Sequence, residues 1–242
     1  MGYGGPMCMF GFSVAYTNTF SEHLERRCRA LDRSFRESTF AFSLGLSDLH
    51  TAVDDGLAGD AASSSAALEQ GLARLATAND HLTVIGEAFV QSRADLFERG
   101  KIDPSDPLIA REACFGAIDY DGLYHELVAC GAALPHRVYW DDVAPRMRGG
   151  GARAALRVLD RQLRRLQSRL RAFASKVASR RNLPLGVRAA ALHDTSFEVA
   201  ALALGYDRLL ATMTYMSIVC ERASQLYEAS TGEVTAAVSA AG

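Results

Sequence analysis

Apolar residues recur along this chain at steps of three and four, the period of one helical face, over stretches far longer than one turn. Leu24, Cys28, Leu31, Phe35, Phe42, Leu49 and Val53 line one such stripe and predict a helix from about Phe20 to Leu57. Thr19 followed by Glu22 fits a capping box at its start. Leu68, Leu72, Leu75, Leu82, Ile85, Phe89 and Leu96 predict a second helix from about Ala61 to Arg99. The link Gly56–Asp60 is short enough for an antiparallel hairpin.

Gly100 to Pro107 reads as a break. A shorter helical region follows, to about Trp140, interrupted near Asp119–Gly122 and at Pro135. Past the flexible link Gly149–Gly151, Leu156, Leu159, Leu163, Leu166, Leu170, Phe173 and Val177 alternate steps of three and four. This is a heptad a/d seam, and it predicts a helix from about Ala152 to Arg181 that packs on a partner. Thr195 with Glu198 offers another capping box. It opens a last helix, to about Ser230, that is apolar on most sides through Leu202, Leu204, Leu209, Leu210, Met213, Met216, Ile218 and Val219. Such a helix belongs at the centre of a bundle. No strand-like alternation competes. The expected class is all-α: an elongated antiparallel bundle of about five helical segments with coiled-coil-like packing. Residues 1–18 form an uncharged apolar tail, 19–231 the single bundle, and 232–242 a disordered end.

Charge changes the picture. The segment from Arg146 to Arg188 holds 13 of the 26 Lys and Arg residues and one acid, Asp160. Its excess of +12 leaves −14 on the remaining residues, for a net charge of −2. The candidate anion-binding residues are Arg153, Arg157, Arg161, Arg164, Arg165, Arg169, Arg171, Lys176, Arg180 and Arg181. Three readings of this basic face are open. It pairs with acids of the other helices, it meets an anionic membrane surface, or it meets nucleic acid or an acidic protein. The helix offers no exposed aromatic for base stacking, since Phe173 lies on the seam, and this weighs against single-stranded nucleic acid.

The sequence supplies little for catalysis. Di-metal carboxylate bundles use Glu-x-x-His pairs. The residues three before His23, His50, His81, His125, His136 and His193 are Phe20, Ser47, Ala78, Gly122, Ala133 and Ala190, and none is an acid. His50 and Asp54 share a face, a spacing typical of surface pairs. His125-Glu126 lacks the second histidine of a zincin helix. No nucleophile elbow, P-loop or dinucleotide-binding glycine motif occurs. Asp119-Tyr120-Asp121-Gly122 reads as a turn rather than a calcium loop, because Cys130 stands where the closing acid belongs. The expectation is a non-enzyme with no cofactor and no metal. Cys8, Cys28, Cys114, Cys130 and Cys220 are odd in number and form no C-x-x-C pair, which suits reduced thiols in the cytoplasm. Met7, Cys8, Met9, Phe10 and Phe12 make a candidate membrane-contact or acylation tail.

The segment order resembles the BAR domains of sorting nexins. The stretch Phe42-Ser43-Leu44-Gly45-Leu46-Ser47-Asp48-Leu49, a short link, and then Ala66-Ala67-Leu68-Glu69-Gln70-Gly71-Leu72-Ala73-Arg74-Leu75 resembles the family's helix end and helix start. The long basic helix and the apolar last helix follow in the family's order, over roughly Phe20 to Ser230. Gly100, Pro104, Pro107 and Pro135 depart from the family's long second helix, and the charge-free N-terminus lacks the basic amphipathic helix of some members. The resemblance implies a three-helix bundle that dimerises and binds anionic membranes. The leading expectation is therefore a helical scaffold in trafficking or membrane shaping, peripheral to a membrane and homodimeric or paired with a helical partner. A protein–protein adaptor without a membrane role is the first alternative, and a bundle-core enzyme or metal or cofactor protein the second.

Overall fold

The computed structural model describes residues 18–102, 114–129 and 151–240. Among them the chain is all-α, with six α-helices, one 3-10 turn and no strand. The helices are α1 (Asn18–Ala58), α2 (Ala61–Ile102), α3 (Tyr120–Ala129), α4 (Gly151–Ala178), α5 (Leu185–His193) and α6 (Ser196–Ala240). The 3-10 turn, Phe115–Ala117, precedes α3.

Local signals explain where the helices start and stop. At the end of α1, Gly59 takes φ +86°. Its N–H bonds to the Gly56 carbonyl at 3.3 Å and the Asp60 N–H to the Asp55 carbonyl at 2.9 Å, the paired bonds of a Schellman stop. Asp60 then caps α2, accepting from the N–H groups of Ala62 at 3.1 Å and Ser63 at 3.0 Å. The Ser63 backbone and hydroxyl donors hold this carboxyl below its usual range. Asp119 does the same work for α3, accepting from the Gly122 N–H at 3.0 Å, so the Asp119–Gly122 interruption is a helix start. The Thr195–Glu198 capping box does not form: the Thr195 hydroxyl donates back to the Leu192 carbonyl at 2.6 Å and Glu198 turns to Lys176.

Several boundaries differ from the sequence pattern. The helix α2 continues through Gly100 to Ile102, α4 begins within the glycine link at Gly151, and α6 continues past Ser230 to Ala240. At the last of these, the Ser230 and Thr231 hydroxyls fold back onto the Tyr227 carbonyl at 2.8 and 3.0 Å without breaking the helix. The described residues group into two compact units, 31–87 with 162–207, and 18–30 with 88–102, 114–129, 151–161 and 208–240. In the latter, Phe89, Ile118, Tyr120, Leu123, Leu159, Leu209, Met213 and Val219 are buried.

The unit of 31–87 and 162–207 is an up-and-down arrangement of segments of α1, α2, α4 and α6. Ser38 bonds to Ala78 and Ser64 to Ala52, and Gly45 abuts Gly71, so α1 and α2 run antiparallel. Arg181 meets Glu69 while Gln167 meets Thr83, so α4 is antiparallel to α2. Lys176 meets Glu198 and Leu166 abuts Gly205, so α6 is antiparallel to α4. Leu31, Phe35, Phe42, Leu49 and Val53 of α1 and Leu68, Leu75, Leu82 and Ile85 of α2 are all buried here. Each such side chain contributes about 2 kcal/mol relative to exposure. Tyr206 of α6 stacks on Phe42 with ring centroids 4.9 Å apart and leans on Phe35 at 6.2 Å. At the hairpin end, α5 docks on α1 and α2. A Cβ at Gly56 would lie 3.0 Å from Ala189 Cβ, and the buried Arg188 reaches the hydroxyls of Ser64 and Ser65, both at 3.1 Å.

Candidate functional site

The seam of α4 determines which way its arginines point. Leu156, Leu159, Leu163, Leu166, Leu170, Phe173 and Val177 are all buried, between 0% and 8% exposed. A helix that buries one a/d stripe turns its b, c and f positions outward. Arg157, Arg161, Arg164, Arg165 and Arg171 stand at such positions and are exposed, and so is Arg169 at a g position flanking the seam. The side chain of Arg153 and the tail residues Met7, Cys8, Met9, Phe10 and Phe12 lie outside the described residues.

Internal pairing accounts for only part of this charge. At the C-terminal end of α4, Lys176 bridges to Glu198 and holds that carboxyl below its usual range. Arg181 grips Glu69 in a two-pronged pair, with Nη2 2.7 Å from Oε2. Arg180 donates to the Ala191 carbonyl, and Arg164 is also engaged. Other acids of α1 are taken by cations of α1 and α2 themselves: Asp32 by Arg36 at 3.0 Å, Asp48 by Arg74 at 3.1 Å, and Glu37 by His81 at 3.4 Å once that imidazole is protonated. Among the described residues no acid pairs with Arg165, Arg169 or Arg171, nor with Arg157 and Arg161 further up the helix. From Gln162 to Ala178 the helix carries five cations and no acid.

The neighbouring helix adds an element that periodicity hid. α6 buries Leu202, Tyr206 and Leu209, but Phe197 is 81% exposed and Leu204 57% exposed. The sequence pattern places Leu204 in the core, because an all-round apolar pattern suits a central helix. In the structure α6 has a solvent side, occupied by Phe197, Ala200, Ala203 and Leu204.

Arg188 belongs to the basic segment yet is only 6% exposed, and it contributes nothing to the outer face. His50 and Asp54 meet at 3.6 Å on the surface of α1. Among the described residues no group of three or more His, Cys, Asp or Glu side chains could hold a metal ion. Among them, too, no helix is long and apolar enough to cross a membrane. Comparison with protein-family models, curated proteins and solved structures returned no match.

Proposed function

We propose that this protein is a non-enzymatic helical scaffold that binds an anionic membrane surface through α4, with Arg165, Arg169 and Arg171 at the centre of the contact. The observation that carries the reading is the exposure of these three arginines on an acid-free stretch of helix, with no acid paired to them among the described residues. A cation without a partner costs little on a solvated surface, and it gains when a phosphate or carboxylate arrives. Guanidinium groups bind such oxygens as a fork. Each basic side chain close to an anionic bilayer contributes about 1 kcal/mol, so three or four together give measurable attachment. The buried seam supports the reading mechanically, because it holds the arginine rows on one stiff rod instead of on a loop. The order of helices, similar to that of BAR domains, is in keeping with it.

Co-sedimentation with vesicles tests the proposal. The protein is expected to pellet with phosphatidylcholine vesicles containing phosphatidylserine, to stay in solution with phosphatidylcholine alone, and to lose most of its bound fraction as salt screens the contact. Equal binding to both vesicle types, or to neither, rejects it.

A further inference from the structure

We propose that Phe197 and Leu204 of α6 insert into the edge of the anionic bilayer while Arg165 and Arg169 of α4 hold its phosphates. This inference rests on the reading of α4 as an anionic-membrane binder, and it names the apolar half of that contact.

Two helix-to-helix contacts bring the elements together. Glu198 meets Lys176, and Gly205 abuts the Leu166 side chain, so this stretch of α6 lies alongside α4. Phe197 and Leu204 each precede one of those contact residues by a single position, about 100° round the helix. The buried residues Leu202 and Tyr206 define the inner side, so the two face outward on the flank next to α4. They lie two turns apart and differ by only about 20° in direction, which aligns them as one row. On α4, Arg169 stands one heptad before Lys176, in the row that borders α6, and Arg165 stands one turn before Arg169.

The surface therefore pairs a cationic ridge with two large exposed hydrophobic side chains. Of the acids beside it, Glu198 is neutralised by Lys176, and the exposed Asp194 stands at its end, in the turn three residues before Phe197. The exposed Asp207 lies about 60° further round α6 from Leu204, away from α4. Charge complementarity thus favours a phospholipid surface, where apolar side chains enter the boundary between headgroups and acyl chains as cations bind above them. A second copy of the chain fits less well. Two large side chains set among alanines offer a few hundred Å² of apolar area, whereas a standard stable interface covers roughly 800 Å² on each partner.

The test compares the full chain with the Phe197→Ser/Leu204→Ser variant on vesicles of phosphatidylcholine with phosphatidylserine. Both positions are exposed, so the helical circular-dichroism signal is expected to be unchanged. At low salt both proteins bind. At about 1 M salt, where the Debye length falls to about 3 Å, the parent chain keeps a residual apolar attachment and the variant loses at least tenfold in bound fraction. In a Trp140→Phe background, Phe197→Trp supplies a single indole at the row. Its emission is expected to shift to the blue on anionic vesicles and to be quenched by brominated acyl chains. If the parent binds but the double variant matches it at every salt concentration and the emission of the introduced indole does not move, the insertion is wrong and the arginine contact stands alone. If the parent does not bind anionic vesicles, the functional reading itself falls. A dimeric mass for the parent that the double variant converts to a monomer assigns the row to a second copy and overturns the insertion.

Discussion

The phenol of Tyr206 donates a 2.8 Å hydrogen bond to the hydroxyl of Ser38 inside the bundle. The direction follows from Ser38, whose single proton goes to the Ala78 carbonyl at 2.8 Å. One buried serine therefore ties α1 to both α2 and α6. Removing Ser38 strands a buried phenol donor, whereas removing the phenol leaves Ser38 bonded to Ala78. Ser38→Ala is expected to cost about 1–3 kcal/mol and Tyr206→Phe about 1 kcal/mol. Urea denaturation of the two variants and their double mutant checks the order. Equal costs would show that Tyr206 finds another partner.

The same phenol makes stability pH-dependent. Burial pushes Tyr206 up from 10.0 to about 12, against a smaller lowering by Ser38. Below pH 10 both folded and unfolded chains hold the proton and this group adds no slope. Between about pH 10 and 12 the unfolded chain releases the proton while the folded chain keeps it, so stability falls by about 1.4 kcal/mol per pH unit from this group. Tyr206→Phe is expected to flatten the alkaline limb of stability against pH relative to the parent. Parallel limbs would place the phenol in contact with solvent.

Gly45 and Gly71 let α1 and α2 approach closely. A Cβ at Gly71 would stand 3.1 Å from the Gly45 carbonyl oxygen and 3.0 Å from Leu49 Cδ2. Alanine is the better helix former by about 1 kcal/mol, but a backbone oxygen cannot rotate away, and overpacking costs about 1–3 kcal/mol. Gly71→Ala is expected to be destabilising, and Gly59→Ala destabilising for a different reason, its left-handed φ. Thermal unfolding of each reads the sign.

Arg188 is buried with two serine hydroxyls and the Arg181 carbonyl around it, no carboxylate, and an unpaired Nε. Its packing between α5 and the hairpin is expected to matter more than its charge. Arg188→Met, which keeps the volume, should cost less than Arg188→Ala, which leaves a cavity worth about 2–5 kcal/mol. Chemical denaturation of both variants decides, and the reverse order would mean that the guanidinium bonds dominate.

Neutralising Arg165, Arg169 and Arg171 to Gln removes about 3 kcal/mol of attraction to an anionic bilayer, or about two orders of magnitude in affinity. Folding stability should stay within about 0.5 kcal/mol, because the three side chains are exposed. Vesicle titration and urea denaturation together separate the two effects.

Much of this was legible in the residues because helical periodicity is local. The a/d spacing from Leu156 to Val177 specifies a helix with one packed side, whatever packs there, and the concentration of arginine with almost no acid follows from composition alone. The Gly59-Asp60 stop and start are also local chemistry. Tertiary structure decided what depends on neighbours. The −14 outside the basic segment supplies a counter-charge at one end only: Glu198 and Glu69 pair with Lys176 and Arg181, whereas Asp32 and Asp48 are held by Arg36 and Arg74 and Glu37 faces His81. Ser38, Ser64 and Arg188 lie on no apolar stripe yet are buried, because a polar group can go inside wherever another helix supplies its hydrogen bonds. Leu204 read as core and is exposed, because rotation of a helix that is apolar all round is set by its partners and not by its own pattern.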